Sequence, residues 1–171
     1  MLLRARPEWN LVVAMCIIAL MRLSLTLSSH GAALDRLAEF VAEFSRVHGL
    51  ADDERARLMV IFDELLTNVV THGYEGAVSE GHIEAALSLE GNRLIIEFID
   101  DGRSFDPLTT PPPDMDLPLE ERPIGGIGIA IVRALVDKIG YTRDGNQNRL
   151  TLRRTLSRPA DNAPNEAARQ N

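Results

Sequence analysis

Two apolar runs, "GHIEAALSLEG" (81–91) and "NRLIIEFIDDG" (92–102), stand back to back with only Glu90, Gly91 and Asn92 at the join. A connection that short leaves one arrangement for two strands, an antiparallel hairpin. A second pair follows in "YTRDGNQNRLTLRRTL" (141–156), which turns at "DGNQ", and "MRLSLTLSS" (21–29) alternates apolar and polar residues as a half-buried strand does. Between these lie segments of helical period. In residues 30–50, Leu34, Leu37, Phe40, Val41 and Phe44 share one face and Gly49 supplies the stop. Residues 51–76 read as a longer helix, with Asp52 and Asp53 suited to its start and Gly73 or Gly76 to its end. "IGGIGIAIVRALVDKIG" (124–140) is a set of glycines feeding a third helix. The order β-α-α-β-β-loop-α-β-β predicts an α+β two-layer sandwich, its sheet mixed but mostly antiparallel, with helices on one face. It lacks the strand-helix alternation of a Rossmann or P-loop domain, and no GxxxxGK[ST] motif is present.

The bulk numbers narrow the function. A chain of 171 residues, 45% hydrophobic and 25% charged, is one ordinary globular domain. A net charge of -7 argues against a nucleic-acid binder, which needs a basic face. Cys16 is the single cysteine, so no disulfide framework or cysteine metal site is expected, and a reducing cytoplasm fits. The apolar run "LVVAMCIIALM" (11–21) is about half the length a membrane span requires. Residues 1–20 read as an extension packed on the domain, or as upstream of a natural start at Met15 or Met21, with no membrane partner expected. Residues 157–171 are polar and expected to be disordered.

Three short stretches carry candidate chemistry. In "FDELLTNVVTHGY" (62–74), Glu64, Asn68 and His72 recur at a step of four, which places them in one row on a helix. Glu and Asn oxygens suit a hard cation such as magnesium, and a Glu can also accept a proton from an attacking hydroxyl. The plainer alternative is a solvated polar stripe. Phe62, Leu65, Leu66, Val69 and Val70 alongside weaken it, because they imply a covered helix. His72 reads as structural, capping the last carbonyls. In "IDDGRSFDP" (99–107), Asp100 ends an apolar strand beside Gly102, where a carboxylate can accept from a ligand donor; an ordinary Asp-Gly turn is the alternative. "GGIGIAIV" (125–132) opens a helix with free N–H groups suited to phosphate, or else is only a tight turn. Ahead of it, residues 106–123 form a proline-rich acidic loop of the kind that serves as a lid.

In sequence the three are E-x-x-x-N-x-x-x-H-G, then D-x-G-x-x-F-D-P, then G-G-x-G-I-x-I-V. This succession resembles the N, G1 and G2 boxes of the Bergerat ATP-binding fold, and in particular the anti-sigma-factor serine/threonine kinases. The resemblance covers residues 21–156. It implies ATP and Mg2+ as cofactors, with Asn68 on the metal and Glu64 as general base or orienting carboxylate. Asp100 would read the adenine amino group beside Gly102 and Phe105. Gly125, Gly126, Gly128 and Ile129 would lie on the phosphate side under a lid at 106–124. It further implies a STAS-domain anti-anti-sigma protein as substrate, a sigma factor as second partner and a homodimer. Ser104 stands where relatives carry a second glycine, and Asn148 where threonine is common.

Overall fold

The computed structural model describes residues 22–28, 32–74, 81–109 and 127–157. The expected extension at 1–20, most of the lid, Gly125, Gly126 and the tail beyond Ser157 lie outside them. The elements are β1 (Arg22–Ser28), α1 (Ala33–His48), α2 (Asp52–Asn68) with a π turn at Val69–Gly73, β2 (His82–Glu90), β3 (Arg93–Asp100), α3 (Ile127–Leu135), β4 (Lys138–Asp144) and β5 (Gln147–Thr155). The strands form one sheet in the order β1-β2-β3-β5-β4, and every described pairing is antiparallel. The topology explains this. With two helices between β1 and β2 the chain reverses three times and returns antiparallel, while the single helix between β3 and β4 leaves those strands codirectional with β5 inserted between them.

Strand alternation sends one face of the sheet onto the helices. Leu27, Ile83, Ala85, Leu87, Leu94, Ile96, Phe98, Leu150 and Leu152 point inward and meet the buried faces of α1, α2 and α3 in a single core. Phe62 of α2 sits at its centre, its ring 6.2 Å from both Phe40 and Phe98. Not every apolar helix residue joins this core. Leu34 is 43% exposed and Val70 39%, because each lies at the margin of its helix's apolar arc.

Local punctuation matches the sequence at the first helix. Gly49 adopts φ 64° and its N–H caps the Ser45 carbonyl. It departs from it at the third. The glycine-led helix was expected to run to residue 140 but ends at Leu135. Asp137 stops it, because its N–H donates to the Arg153 carbonyl and its carboxylate accepts from the Thr155 N–H, which starts β4 at Lys138. Nearby, Arg154 donates to both carboxylate oxygens of Glu54 at 2.7 and 2.8 Å and to the Leu135 carbonyl at 2.7 Å. One guanidinium thus ties the start of α2 and the end of α3 to β5.

Two outcomes test this packing. Phe98→Ala should lower unfolding stability by about 3–5 kcal/mol in chemical denaturation, since the cavity lies between sheet and helices. The Arg154 hydrogen bond, aided by its charge and opposed by burial, holds the Glu54 carboxyl below its usual 4.5. A depressed carboxyl stabilises the fold above its unfolded value and loses that contribution as pH falls through the folded one. Glu54→Gln should therefore be less stable than the parent at neutral pH, with the gap shrinking below about pH 4.5.

Candidate functional site

The register across the sheet sets the floor of a cleft. Leu27, Ile83, Asp100, Asn148 and Arg143 are successive Cα partners on β1, β2, β3, β5 and β4, and all lie on the helix-facing side. The row is apolar at the β1 end and polar at the β4 end. Asp100 and Asn148 are each only 4% exposed. Asp100 Oδ1 accepts from Asn148 Nδ2 at 2.7 Å and from the Gly102 N–H at 3.0 Å. Burial pushes the Asp100 carboxyl above its usual range, against the opposing hydrogen bonds from Asn148 and Gly102 and the charge of Arg143.

The cleft above this floor is lined by Leu65, Asn68, Val69 and Gly73 from the α2 side and by Asp100, Phe105, Pro107, Asn148 and Leu150 from the sheet and the turn after β3. Asn68 bears on what the cleft can hold. Its Oδ1 is buried and has no hydrogen-bond partner among the described residues, and an oxygen so placed calls for a cation or a water. It fits magnesium, which takes few protein oxygens. Among the described residues no cluster of three His, Cys, Asp or Glu offers a fuller metal site.

Glu64, one turn before Asn68, points toward α3. A Cβ at Gly128 would lie 2.2 Å from Glu64 Oε2, so the carboxylate rests where only glycine leaves room. Ile129 follows, but it is packed into the core and does not line the cleft.

The expected row does not extend to His72. The α-helical step ends at Asn68, and the π turn of Val69–Gly73 changes the angle between successive residues. The His72 ring instead stacks on Phe105, with centroids 4.9 Å apart, and so backs one wall of the cleft. Nor does His72 cap the helix. The Arg103 side chain does so, donating through Nε to the His72 carbonyl, while the Arg103 N–H donates to the Gly73 carbonyl at 3.0 Å. Gly73 and Gly102 pack backbone to backbone, since a Cβ at Gly102 would stand 2.9 Å from the Gly73 oxygen.

Several contributors escaped the sequence reading. Tyr74 places its hydroxyl 2.7 Å from Asp101 Oδ1 and 3.0 Å from the His82 carbonyl, which pins the end of α2 to the β2–β3 pair. Burial, with the hydrogen bond and charge of Asp101, pushes that hydroxyl well above the usual tyrosine range. Burial would raise Asp101, but the Tyr74 hydroxyl and the His82 N–H outweigh it and hold the carboxyl low. Tyr141 and Arg143 both donate to Asn148 Oδ1 at 2.7 Å. The alternation of "YTRD" opposite "NRL" could have placed both on the Asn148 face once the turn was known. The described start of the expected lid is ordered by Asp106, whose carboxylate accepts from the Leu108 N–H, and by Arg133 of α3, which donates to the Leu108 carbonyl. Among the described residues no helix is long and apolar enough to cross a membrane.

Comparison with known proteins agrees with this geometry. Residues 27–154 match the model of the histidine kinase-like ATPase domain. The chain is 33% identical over 100 residues to "Serine-protein kinase RsbW" of Bacillus thuringiensis (strain Al Hakam), and 32% identical over 100 residues to the protein of that name from Bacillus mycoides (strain KBAB4). Each match spans 56% of this chain and 61% of the relative. Among solved structures, the RsbU and RsbW domains of Rv1364c from Mycobacterium tuberculosis share the fold. The TM-score is 0.57 at 24% identity, over 81% of this chain and 33% of that one. A five-stranded antiparallel sheet under three helices, with Asn68 and Asp100 on one cleft and Glu64 against Gly128, is the Bergerat arrangement, and the chain belongs to the histidine kinase-like ATPase domain family.

Proposed function

We propose that the protein is an ATP-dependent serine/threonine protein kinase of the anti-sigma-factor type. Its substrate is a serine or threonine on a STAS-domain anti-anti-sigma protein, its second partner is a sigma factor, and it works as a homodimer. The similarity to proteins named serine-protein kinase RsbW supports the class. The observation that carries the reading is the pairing of Asn68, with a buried oxygen lacking a partner, and Glu64, with a carboxylate seated on Gly128 at the start of α3.

The residues divide the work. Asp100 accepts the amino group of adenine, with Phe105 as a wall and Gly102 giving close backbone approach. Asn68 Oδ1 holds the metal. Gly128, with Gly125 and Gly126 before it, gives the phosphates access to the start of α3. Bound MgATP would supply the phosphoryl group and neutralise the charge of its transfer, so positioning is most of what the protein must provide. Glu64 orients the acceptor hydroxyl and takes its proton.

Purified protein, incubated with labelled ATP, magnesium and a STAS-domain protein of the same organism, should transfer phosphate to that protein. Glu64→Gln should lower transfer by about 10²- to 10⁴-fold with nucleotide affinity retained; undiminished transfer would remove Glu64 from its role. If nucleotide binds and no phosphate moves even in the parent, the protein is an ATP-dependent binding switch instead. Gly128→Ala should displace Glu64 and slow transfer by roughly 10²-fold, the usual effect of a small misplacement, in a protein that still melts cooperatively.

A further inference from the structure

We infer that Arg143 sets the polarity of the hydrogen-bond chain ending on Asp100, and thereby which purine the cleft accepts. The inference rests on the nucleotide reading above. Arg143 Nη1 donates to Asn148 Oδ1 at 2.7 Å and to the Gly102 carbonyl at 2.9 Å, while its Nε reaches the Gly145 carbonyl at 3.3 Å. A guanidinium has donors and no acceptor. The amide atom facing it must be the oxygen, so Nδ2 must face Asp100. The Tyr141 hydroxyl, which can donate or accept, donates to the same oxygen in that orientation.

With that orientation the Asn148 amide is fully used. Its Nδ2 donates to Asp100 Oδ1 at 2.7 Å and to the Arg103 carbonyl at 3.0 Å, and its oxygen accepts twice. No donor remains for a ligand, which makes Asn148 and Arg143 positioning residues acting through Asp100. Asp100 is then kept as an acceptor. An acceptor suits the 6-amino group of adenine and repels the 6-oxo group of guanine. Were Asp100 instead to carry a proton while Asn148 Nδ2 and the Gly102 N–H stay on Oδ1, that proton would sit on Oδ2 and could be donated to a 6-oxo purine.

The charged groups acting on Asp100 are few. Arg143 comes from β4 and Asp101 follows in the chain, and burial opposes the ionised form. The Tyr74 hydroxyl at the end of α2 feels the Asp100 charge. The α2 side of the cleft brings Leu65, Asn68, Val69 and Gly73, none of which titrates; from β2 the register partner is Ile83, and from β5 it is Asn148. Arg143 is thus the one cation among these groups. Removing it should raise the pH at which Asp100 takes up its proton.

The test is calorimetric titration of the full chain with ATP and with GTP, each with magnesium, at a series of pH values from neutral into the acid range. The parent should prefer ATP and lose ATP affinity toward acid. Arg143→Met should weaken ATP binding about tenfold, the usual worth of a hydrogen bond to a charged group. It should narrow the ATP-to-GTP ratio by a similar factor and move the acid midpoint to higher pH. Arg143→Lys should keep the midpoint, since the charge remains. Tyr141→Phe removes one donor to the same oxygen and should shift the ratio in the same direction by less, which serves if Arg143→Met does not fold. An equal loss for both nucleotides with the midpoint unmoved would mean a merely structural role and overturn the inference, as would an unchanged ratio in Arg143→Met, or in Tyr141→Phe where that stands in. A parent that binds neither nucleotide would overturn the nucleotide reading itself.

Discussion

An ionisable carboxyl closed off from water at the end of β3 has to be matched by donors, and the surrounding strands are arranged to supply them. Asp100 is 4% exposed, and its partners come from three places: the Gly102 N–H two residues on, Asn148 across the strand pair, and Arg143 one strand further through Asn148. The last two of these contacts do not exist without the β3–β5–β4 order. Inserting β5 between β3 and β4 brings residues 48 apart in sequence into hydrogen-bond contact. A sheet in simple chain order would set β4, not β5, beside Asp100. The strand order and the cleft floor are therefore one feature of the fold, and disrupting the β4–β5 hairpin would unsettle the carboxylate as well as the edge of the sheet.

The helical wall answers to a different constraint, close approach. Gly73 and Gly102 meet backbone to backbone, and Gly128 leaves room for Glu64. A Cβ at Gly102 would push the turn after β3 away from the end of α2, and one at Gly128 would displace the Glu64 carboxylate. The π turn at Val69–Gly73 belongs to the same geometry. It lets α2 end with the Gly73 carbonyl aimed at the Arg103 N–H, and it turns His72 onto Phe105. Wide turns of this kind are uncommon and often occur at functional sites. Here it divides one helix: Glu64 and Asn68 sit on regular α-helix, and the residues that brace the Asp100 side of the cleft follow once the helix has widened.

What the sequence made legible follows the range of each signal. Element order and type were readable because period-2 and period-3.6 patterns are local, and Glu64, Asn68 and Asp100 stood out as candidates because each lies in a short motif. The π turn left no mark, since Val69 and Val70 continue the apolar pattern of an ordinary helix. The end of α3 was misplaced because "VDKIG" carries no proline and its glycine comes late; the stop comes from Asp137 bonding to residues of β5, which is tertiary. Asn148 was seen only as an unusual residue at its position. Its importance depends on register with Asp100 and on Tyr141 and Arg143, none of which a one-dimensional pattern reports. The same holds for Arg103, whose place under the helix end depends on where β3 delivers the chain.

The two halves of the cleft differ in how they are held. The half around Asp100 is built on paired strands and cross-strand hydrogen bonds, so its donors and acceptors keep fixed directions. The half around Glu64 and Asn68 depends on how α2 and α3 lie against each other. Arg154 bears on that relation, binding Glu54 at the first turn of α2 and the Leu135 carbonyl at the last turn of α3. Glu64 and Gly128 are in contact further along α2 and at the start of α3. The helix pair is thus fastened by a charge pair at one place and by steric fit at another. A ligand reaching from Asp100 to Asn68 would join the rigid half to the adjustable one, and the spacing between them is the quantity a change at the α2–α3 contact would alter first.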